Sequence, residues 1–269
     1  MVGQERIKNK LKSYSLGDFP RTLLFVGEAG CGKRTLANDL AAFYKIPLED
    51  ITESLSVELF DQIAYNPFPN FYLINLTSLT DEKQNILLKF IEEPFPSAYL
   101  ILISENKLNI IPTVLNRCLV FEFEQYTKEE LRPFLFCTGY EQYADTILEV
   151  CRTPGQLVNL DVKSVPQIID ISEKIATRLK GANFANTLTI ADKINYKDEY
   201  DKFDINLFFD ILTYVLKNKY IENCDLSTYT LYNKTVEFRK RLRDKRLNKE
   251  VFMYNFLTNL WRAAREWIL

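Results

Sequence analysis

The sequence contains no histidine among its 269 residues. A chain without imidazole has neither a histidine general base nor a histidine metal ligand, so both kinds of site are excluded. Its cysteines are scattered and form no Cys-x-x-Cys pair; they are Cys31, Cys118, Cys137, Cys151 and Cys224. This spacing is untypical of zinc modules and of disulfide frameworks. We therefore expect no zinc and no other metal, and we predict a reducing, cytoplasmic location.

Long apolar runs and a strong net charge are missing as well. No run reaches the roughly 18 residues of a membrane-spanning helix, and the N-terminus lacks a signal-peptide pattern, so no membrane contact is expected. The formal net charge of −2 gives no global attraction for nucleic acid, so any DNA contact must come from a local patch. With 47% hydrophobic and 26% charged residues, the composition predicts a folded chain of two or three compact domains.

Glycine is scarce, and several of the eight glycines fall in one short stretch. An apolar run, Thr22–Val26, leads into this stretch, and a helical pattern follows it. The spacing Gly27-x4-Gly32-Lys33 fits the nucleotide-binding P-loop, in which backbone N–H groups surround a phosphate and the lysine reaches the outer phosphates. The candidate phosphate-binding residues are Gly27, Gly30, Gly32, Lys33, Arg34 and Thr35.

One position in this loop departs from the P-loop pattern. The Ser or Thr that normally follows the lysine and holds Mg²⁺ is replaced by Arg34, with Thr35 one place late. Two interpretations stay open. The loop binds the phosphate of ATP or ADP without hydrolysing it, or it is kept only for its turn geometry and holds no nucleotide.

Apolar strands alternate with helical patterns over the first half of the chain. This order predicts an α/β fold with a parallel five-stranded sheet and helices on both faces. The predicted strands are Thr22–Val26, 50–53, Phe71–Leu76, Ala98–Ile103 and Leu119–Phe123. The first intervening helix, from about Lys33 to Tyr44, should bury Leu36, Leu40 and Phe43.

Only helical patterns follow residue 125. We predict an α/β domain over 1–124, a small helical lid over 125–163 and an all-helical domain over 164–269. Thr153-Pro154 supplies a helix N-cap followed by proline at the first helical position. The longer helices are predicted at roughly 166–180, 183–194, 203–222, 228–247 and 249–268.

Several blocks together resemble one protein family. In the order and spacing seen over residues 2–160, the chain is similar to the clamp-loader branch of AAA+ ATPases, and most closely to bacterial DNA polymerase III delta-prime subunits. The helices beyond residue 165 match only by position and length, as an oligomerisation collar would. The matching blocks are Val2-Gly3-Gln4-Glu5 near the adenine pocket, Leu87–Pro94, Ile111–Cys118 and Thr153-Pro154-Gly155.

The same resemblance shows which parts of an ATPase are missing. In the family, the Walker B strand ends in Asp-Glu and a sensor-2 arginine follows Pro154-Gly155, whereas this chain has Asn75, Leu76 and Gln156. Together with Arg34, these residues remove a metal ligand, a general base and a phosphate contact. We expect no ATP hydrolysis by this chain. Residues 45–70 also lack the zinc-binding cysteines that delta-prime subunits often carry.

Arg117 is the residue most expected to act in catalysis. It lies in the segment that resembles the family's Ser-Arg-Cys motif, with Asn116 in place of serine. The resemblance implies an arginine finger offered to a neighbouring subunit's ATP, and an always-charged, planar guanidinium suits such a phosphate. The alternative is an ordinary surface arginine before a strand.

The resemblance implies a set of partners. A non-hydrolysing, stator-like subunit of the DNA polymerase III holoenzyme would contact the loader's ATPase subunits and its delta subunit. It would meet primer–template DNA through the assembled ring, and the sliding clamp directly or indirectly. The alternatives are a self-contained AAA+ ATPase acting on another substrate, and a regulatory nucleotide-binding module outside replication.

Three other features have more ordinary interpretations. Glu92-Glu93-Pro94 is interpreted as a helix end with structural ion pairs, not as a catalytic carboxylate pair. The basic run at 239–246 spreads around its helix, so a solvated face is favoured over a DNA contact. The aromatic residues of the last helix, interpreted as core or subunit interface, are Phe252, Phe256, Trp261 and Trp267.

Overall fold

A computed structural model of the chain describes residues 3–136, 141–161, 164–179, 203–242 and 248–265. Several sequence-based predictions fall outside these ranges. They are the helix at 183–194 and the roles given to Val2, Cys137, Arg243, Lys245, Arg246 and Trp267.

The first half of the chain builds one parallel sheet. Its strand order is β2-β3-β4-β1-β5, and every neighbouring pair is parallel. The predicted five-stranded parallel sheet is confirmed. Four strands differ from their predicted ends by at most one residue, whereas β2 begins two residues and ends three residues earlier than predicted. The strands are β1 (Thr22–Val26), β2 (Leu48–Asp50), β3 (Asn70–Asn75), β4 (Ala98–Ser104) and β5 (Leu119–Glu122).

The sheet is apolar on both faces because its strands are covered on both sides. Leu24 and Val26 of β1 pack into one hydrophobic cluster, whereas Leu23 and Phe25 pack into another. Successive side chains of a strand point to opposite faces, so the two clusters lie on opposite sides of the sheet. Helices on both faces, as predicted, account for these continuous apolar strands.

Five helices belong to this α/β part. They are α1 (Glu5–Lys12), α2 (Lys33–Tyr44), α3 (Val57–Ala64), α4 (Asp81–Glu92) and α5 (Pro112–Leu115). Thr80 caps α4, accepting from the N–H of Lys83 at 3.5 Å.

The predicted buried face of α2 is wrong at one position. Leu36 and Leu40 are buried, but Phe43 is 51% exposed. The Phe43 ring lies against Tyr44 and under the Lys12 ammonium, which is 5.3 Å from the ring centroid. The third buried residue of the helix stripe is Ala37, whose small side chain fits against the sheet.

The chain divides into two compact units. Unit 1 comprises residues 1–131 and 152–157, and unit 2 comprises residues 132–151 and 158–269. The segment predicted as a lid therefore contributes to both units, and the division into three domains stays a prediction. The remaining helices are α6 (Lys128–Phe136), α7 (Ala144–Val150), α8 (Pro154–Val158), α9 (Ser164–Arg178), α10 (Ile205–Asn223), α11 (Leu226–Arg241) and α12 (Lys249–Arg265).

Unit 2 has an aromatic core. Phe209 and Phe256 are fully buried, and their ring centroids lie 4.5 Å apart. Phe252 is also buried there, which confirms the core interpretation for two of the aromatic residues of the last helix. None of the helices in the described residues is long and apolar enough to cross a membrane.

Candidate functional site

The loop between β1 and α2 is shaped by its glycines. Gly30 and Gly32 have φ values of +79° and +96°, a region that residues with a side chain rarely adopt. Gly27 lies against Phe123, and a Cβ added at Gly27 would lie 2.7 Å from the Cβ of Phe123. Each of the three positions therefore needs glycine for its backbone geometry or its close packing.

The Lys33 ammonium is turned back into the loop. Its Nζ donates to the carbonyl oxygens of Gly27 at 2.5 Å and Glu28 at 2.8 Å. The Nζ also lies 3.7 Å from the Sγ of Cys31, and burial raises the pKa of that thiol. Lys33 is 8% exposed. Any phosphate that used this lysine would have to compete with two carbonyl groups of the loop itself.

The remaining carbonyl oxygens of the loop also accept hydrogen bonds from unit 1. Two donors come from the distant segment at 152–157, a third is a tyrosine hydroxyl after β5, and the fourth is an amide of α2. The bonds are Thr153 Oγ1 to Ala29 O (3.0 Å), Gly155 N to Gly30 O (2.9 Å), Tyr126 OH to Cys31 O (2.9 Å) and Leu36 N to Gly32 O (2.8 Å).

The N–H groups of the loop differ from its carbonyl groups in their hydrogen bonding. Within the described ranges, the N–H groups of residues 28–30 and 32–35 donate to no protein acceptor. These groups include the first amides of α2, which a helix leaves without an internal partner. Free N–H groups at the start of a helix favour an anion. The backbone therefore fits a phosphate, although its lysine is engaged elsewhere.

The segment at 152–157 closes against the loop. A Cβ on Gly155 would lie 2.5 Å from the Cα of Gly30, which is backbone and cannot rotate away. Glycine at position 155 is therefore required for this approach. The predicted N-cap of α8 is confirmed, since Thr153 Oγ1 accepts from the N–H of Gln156 at 3.4 Å.

Gln156, at the position of the expected sensor-2 arginine, has a structural role. Its Oε1 accepts from the N–H of Arg152 at 2.7 Å and of Thr153 at 3.1 Å. With the bond from Gln156 N to Thr153, this makes a reciprocal capping box. The spacing Thr153-x-x-Gln156 was readable in the sequence as this motif. The side chain is thus used for capping its own helix.

Arg34 forms an ion pair across the end of the sheet. Its Nη1 lies 2.6 Å from Oδ2 of Asp50, the last residue of β2. Asp50 also accepts from Thr52 Oγ1 at 2.6 Å, and Thr52 Oγ1 accepts from the N–H of Asn75 at 2.9 Å. A connected network therefore runs from the loop to the end of β3. Sequence reasoning missed Asp50 and Thr52, because strand neighbours are set by the fold.

The acidity of Asp50 reflects this network. Partial burial raises the pKa of its carboxyl, but the Thr52 hydrogen bonds and the Arg34 cation outweigh that effect. The pKa of Asp50 is therefore below its usual value, and the carboxylate stays charged at neutral pH. Arg34 consequently keeps its partner under ordinary conditions.

The residues at the end of β3 do not fit a magnesium ion. Asn75 is neutral, and its Oδ1 accepts from the N–H of Thr77 at 3.1 Å, capping a 3₁₀ turn. Leu76 is fully buried in the hydrophobic cluster. Arg34 places a cation where the P-loop needs a metal ligand. In the described ranges no three Cys, Asp or Glu side chains converge as metal ligands, and the expected absence of zinc stays a prediction.

The N-terminal motif is tied to the segment after β5. The Gln4 side chain donates to the carbonyl of Glu124 at 2.7 Å and accepts from its N–H at 3.0 Å. Gly3, with a φ of +74°, lies under the Tyr126 ring, and burial raises the pKa of Tyr126 to about 12. Tyr126, whose hydroxyl donates to Cys31 O, thus connects the N-terminal motif with the glycine loop.

Arg117 lies elsewhere in unit 1, in the turn between α5 and β5. Its Nη1 donates to the carbonyl of Thr113 at 3.0 Å, and its Nη2 lies 2.9 Å from Oε1 of Glu92. Glu92 thus forms an ion pair at the helix end, as interpreted from the sequence. The Arg117 side chain remains 43% exposed.

The basic run of α11 is partly neutralised within unit 2. Arg239 binds Asp210 with two bonds of 2.8 and 3.0 Å, and Arg241 lies 2.5 Å from Glu237. These contacts support the solvated-face interpretation over a DNA contact for the described part of the run.

A family match adds to this geometry. Residues 45–127, from the end of α2 to the beginning of α6, match the sequence profile described as DNA polymerase III, delta subunit. The matched profile is of the delta-prime type. No curated protein sequence matches the chain.

Solved structures share the fold at low sequence identity. A DNA polymerase III gamma subunit-related protein from Thermotoga maritima superposes with a TM-score of 0.56 at 15% identity, covering 97% of this chain and 99% of that one. The RuvB Holliday junction branch migration motor of Thermotoga maritima gives a TM-score of 0.48 at 17% identity, covering 81% and 76%. The first likeness supports the fold, and the second is too distant to add to it.

Proposed function

We propose that this chain is a non-hydrolysing, stator-like subunit of a DNA polymerase III sliding-clamp loader. The observation that carries the proposal is the Arg34–Asp50 ion pair, in which the residue that replaces the P-loop's metal-binding Ser or Thr is a cation paired with a carboxylate. Phosphoryl transfer by this fold depends on a metal ion and placed charges, so the chain's own site is not suited to it. The profile match over residues 45–127 supplies the replication context.

Under this proposal Arg117 acts on a neighbour's ATP. Its guanidinium is partly exposed and uses one Nη for Thr113 and the other for Glu92, which leaves further N–H donors for a phosphate. An arginine supplied across an interface is worth roughly 10³–10⁵ in rate in other phosphoryl-transfer systems. The neighbouring subunit would carry out the hydrolysis, and this chain would supply one charge.

The chain's own loop would bind the phosphates of ATP or ADP without hydrolysis. The free amides at residues 28–30 and 32–35 support this part of the proposal. The partners would be the loader's ATPase subunits and delta, with primer–template DNA and the sliding clamp engaged through the assembled ring. The compartment would be the cytoplasm, where replication takes place in bacteria.

Removing the guanidinium tests the proposal. In a loader reconstituted with its ATPase subunits, Arg117→Ala should lower ATP hydrolysis roughly 10³-fold at the one site that Arg117 faces. Total DNA-stimulated ATPase should then fall by that site's share, while assembly of the complex is unchanged. Arg132→Ala, at an arginine whose side chain is 53% exposed, is the matched control. Unchanged ATPase in the Arg117→Ala loader would refute the trans role.

A self-contained ATPase is the competing function. It requires this chain alone to hydrolyse Mg-ATP. The residue at the Walker B position is a buried leucine, Leu76, so no carboxylate is present there to polarise water. Turnover by the purified chain that disappears in Lys33→Ala would favour this function. We expect none above background.

A further inference from the structure

The carboxylate of Glu92 lies beside the guanidinium of Arg117. The Nη2–Oε1 distance is 2.9 Å, and the two side chains are 43% and 49% exposed. The other terminal nitrogen of Arg117 is held by the Thr113 carbonyl at 3.0 Å. Two fixed points on one planar group define its position and its plane, which a single contact would not do.

Both partners are carried by elements that pack into one core. Phe90 and Ile91, directly before Glu92, are buried in the same hydrophobic cluster as Val114 of α5. The buried Gln84 side chain joins the two elements further, donating to Asn109 O at 2.8 Å and accepting from Ile111 N at 3.0 Å. Core packing and the Gln84 hydrogen bonds therefore hold the backbone segments that carry Glu92 and Arg117 together.

The backbone around Arg117 is fixed as well. Its N–H donates to Val114 O at 3.1 Å, and the Cys118 thiol donates to the same carbonyl at 3.1 Å. Burial raises the pKa of Cys118 to about 12, so the sulfur stays a protonated donor. With the main chain held, the remaining freedom of Arg117 lies in its long side chain, which Glu92 restricts.

We infer that Glu92 is a positioning residue for Arg117 and presents its guanidinium to the phosphate of a neighbouring subunit. This inference rests on the proposed function. An exposed ion pair contributes little to stability, so the pair is better explained by orientation than by folding. A long side chain that is already ordered loses less freedom when it binds, which favours the bound state.

A double-mutant cycle separates this role from a structural one. In the reconstituted loader, Glu92→Gln should lower the Arg117-dependent part of the ATPase about three- to tenfold, the factor expected for losing the order of one long side chain. The effect should fall on kcat, with the KM for ATP, the assembly of the loader and the melting temperature of the chain unchanged. Glu92→Asp should recover part of the loss because it keeps the charge.

The neighbouring Glu93→Gln is the matched control. Glu93 is exposed and makes no ion pair with a described residue, yet the substitution changes the same charge at the same helix end. In an Arg117→Ala background, Glu92→Gln should have no additional effect, because its action passes through the guanidinium.

Each outcome decides between the two claims. If Arg117→Ala has no effect, the proposed function itself is wrong. If Arg117→Ala has an effect but Glu92→Gln behaves like Glu93→Gln, only the positioning role is wrong. A further loss in the Arg117→Ala background would also overturn it, as would a gain in activity, which would mean that Glu92 restrains the arginine.

Discussion

Two arginines of unit 1 are each paired with one carboxylate, in different surroundings. Arg34 binds Asp50, which is held by Thr52, which in turn accepts from the Asn75 backbone. Arg117 binds Glu92 at a helix end, and about half of each side chain faces solvent. The first pair belongs to a hydrogen-bonded network along the end of the sheet, whereas the second is a local contact between a helix end and a turn. Arg34 is 55% exposed and Arg117 43%, so the two arginines differ in their partners and not in their access to solvent. The same kind of ion pair is thus part of an extended network in one place and a local contact in the other.

The burial of Leu76 predicts that a glutamate cannot be introduced after Asn75 without a large loss of stability. Leu76→Glu would bury a carboxylate in the core cluster and should lower the free energy of unfolding by roughly 4 kcal/mol or more, without producing ATPase activity. Thermal unfolding followed by circular dichroism measures this.

Leu108→Glu is the control for that change, because Leu108 is 88% exposed. It should leave the melting temperature within a degree or two of the parent protein. If Leu76→Glu were equally harmless, the assignment of Leu76 to the core would be wrong.

The closure of the loop by residues 152–157 predicts a smaller loss. Gly155→Ala places a methyl group against the Gly30 backbone and disturbs the bonds to Ala29 and Gly30. We expect about 2 kcal/mol lower unfolding free energy. Gly17→Ala is the matched control, since the nearest atom to its added Cβ is 3.9 Å away. Equal midpoints for the two variants in urea would contradict the close approach.

The Arg34–Asp50 pair predicts the smallest effect and a dependence on pH. Asp50→Asn should cost roughly 0.5–1 kcal/mol at neutral pH. Because the folded pKa of Asp50 is lowered, its contribution is present above the unfolded pKa, about 3.9, and is lost as the pH falls through the folded pKa.

Unfolding measured at pH 7 and again near pH 3 tests this sign. The difference between Asp50→Asn and the parent should shrink at the lower pH. Glu49→Gln removes an adjacent, exposed carboxylate and should show no comparable change. A difference that grew on acidification would mean that the Asp50 pKa is not lowered.

The sequence was sufficient for the sheet and for the local parts of the site. Five strands, the glycine loop and the caps at Thr80 and Thr153 were predictable, because buried parallel strands are continuously apolar and caps depend on neighbouring residues. Phe43 was misplaced because helical periodicity gives a face but not its width, and the burial ends at Ala37 and Leu40.

The contacts that decide the chemistry were not readable in this way. Asp50 joins Arg34 only because β2 lies beside β3, and Glu92 joins Arg117 only because α4 packs on α5. Residues far apart in sequence carry no periodic signal for such pairings. The exception was Gln156, whose capping-box spacing was local and could have been recognised.

The contact between Thr153 and Ala29 spans 124 positions of the chain. During synthesis from the N-terminus, the glycine loop emerges early, but the groups that bond the carbonyls of Ala29 and Gly30 emerge only with the segment at 152–157. Contacts of such long range form late and slow the search for the native state. Most of unit 1 is therefore synthesised before the carbonyl groups of Ala29 and Gly30 in the glycine loop can form these hydrogen bonds.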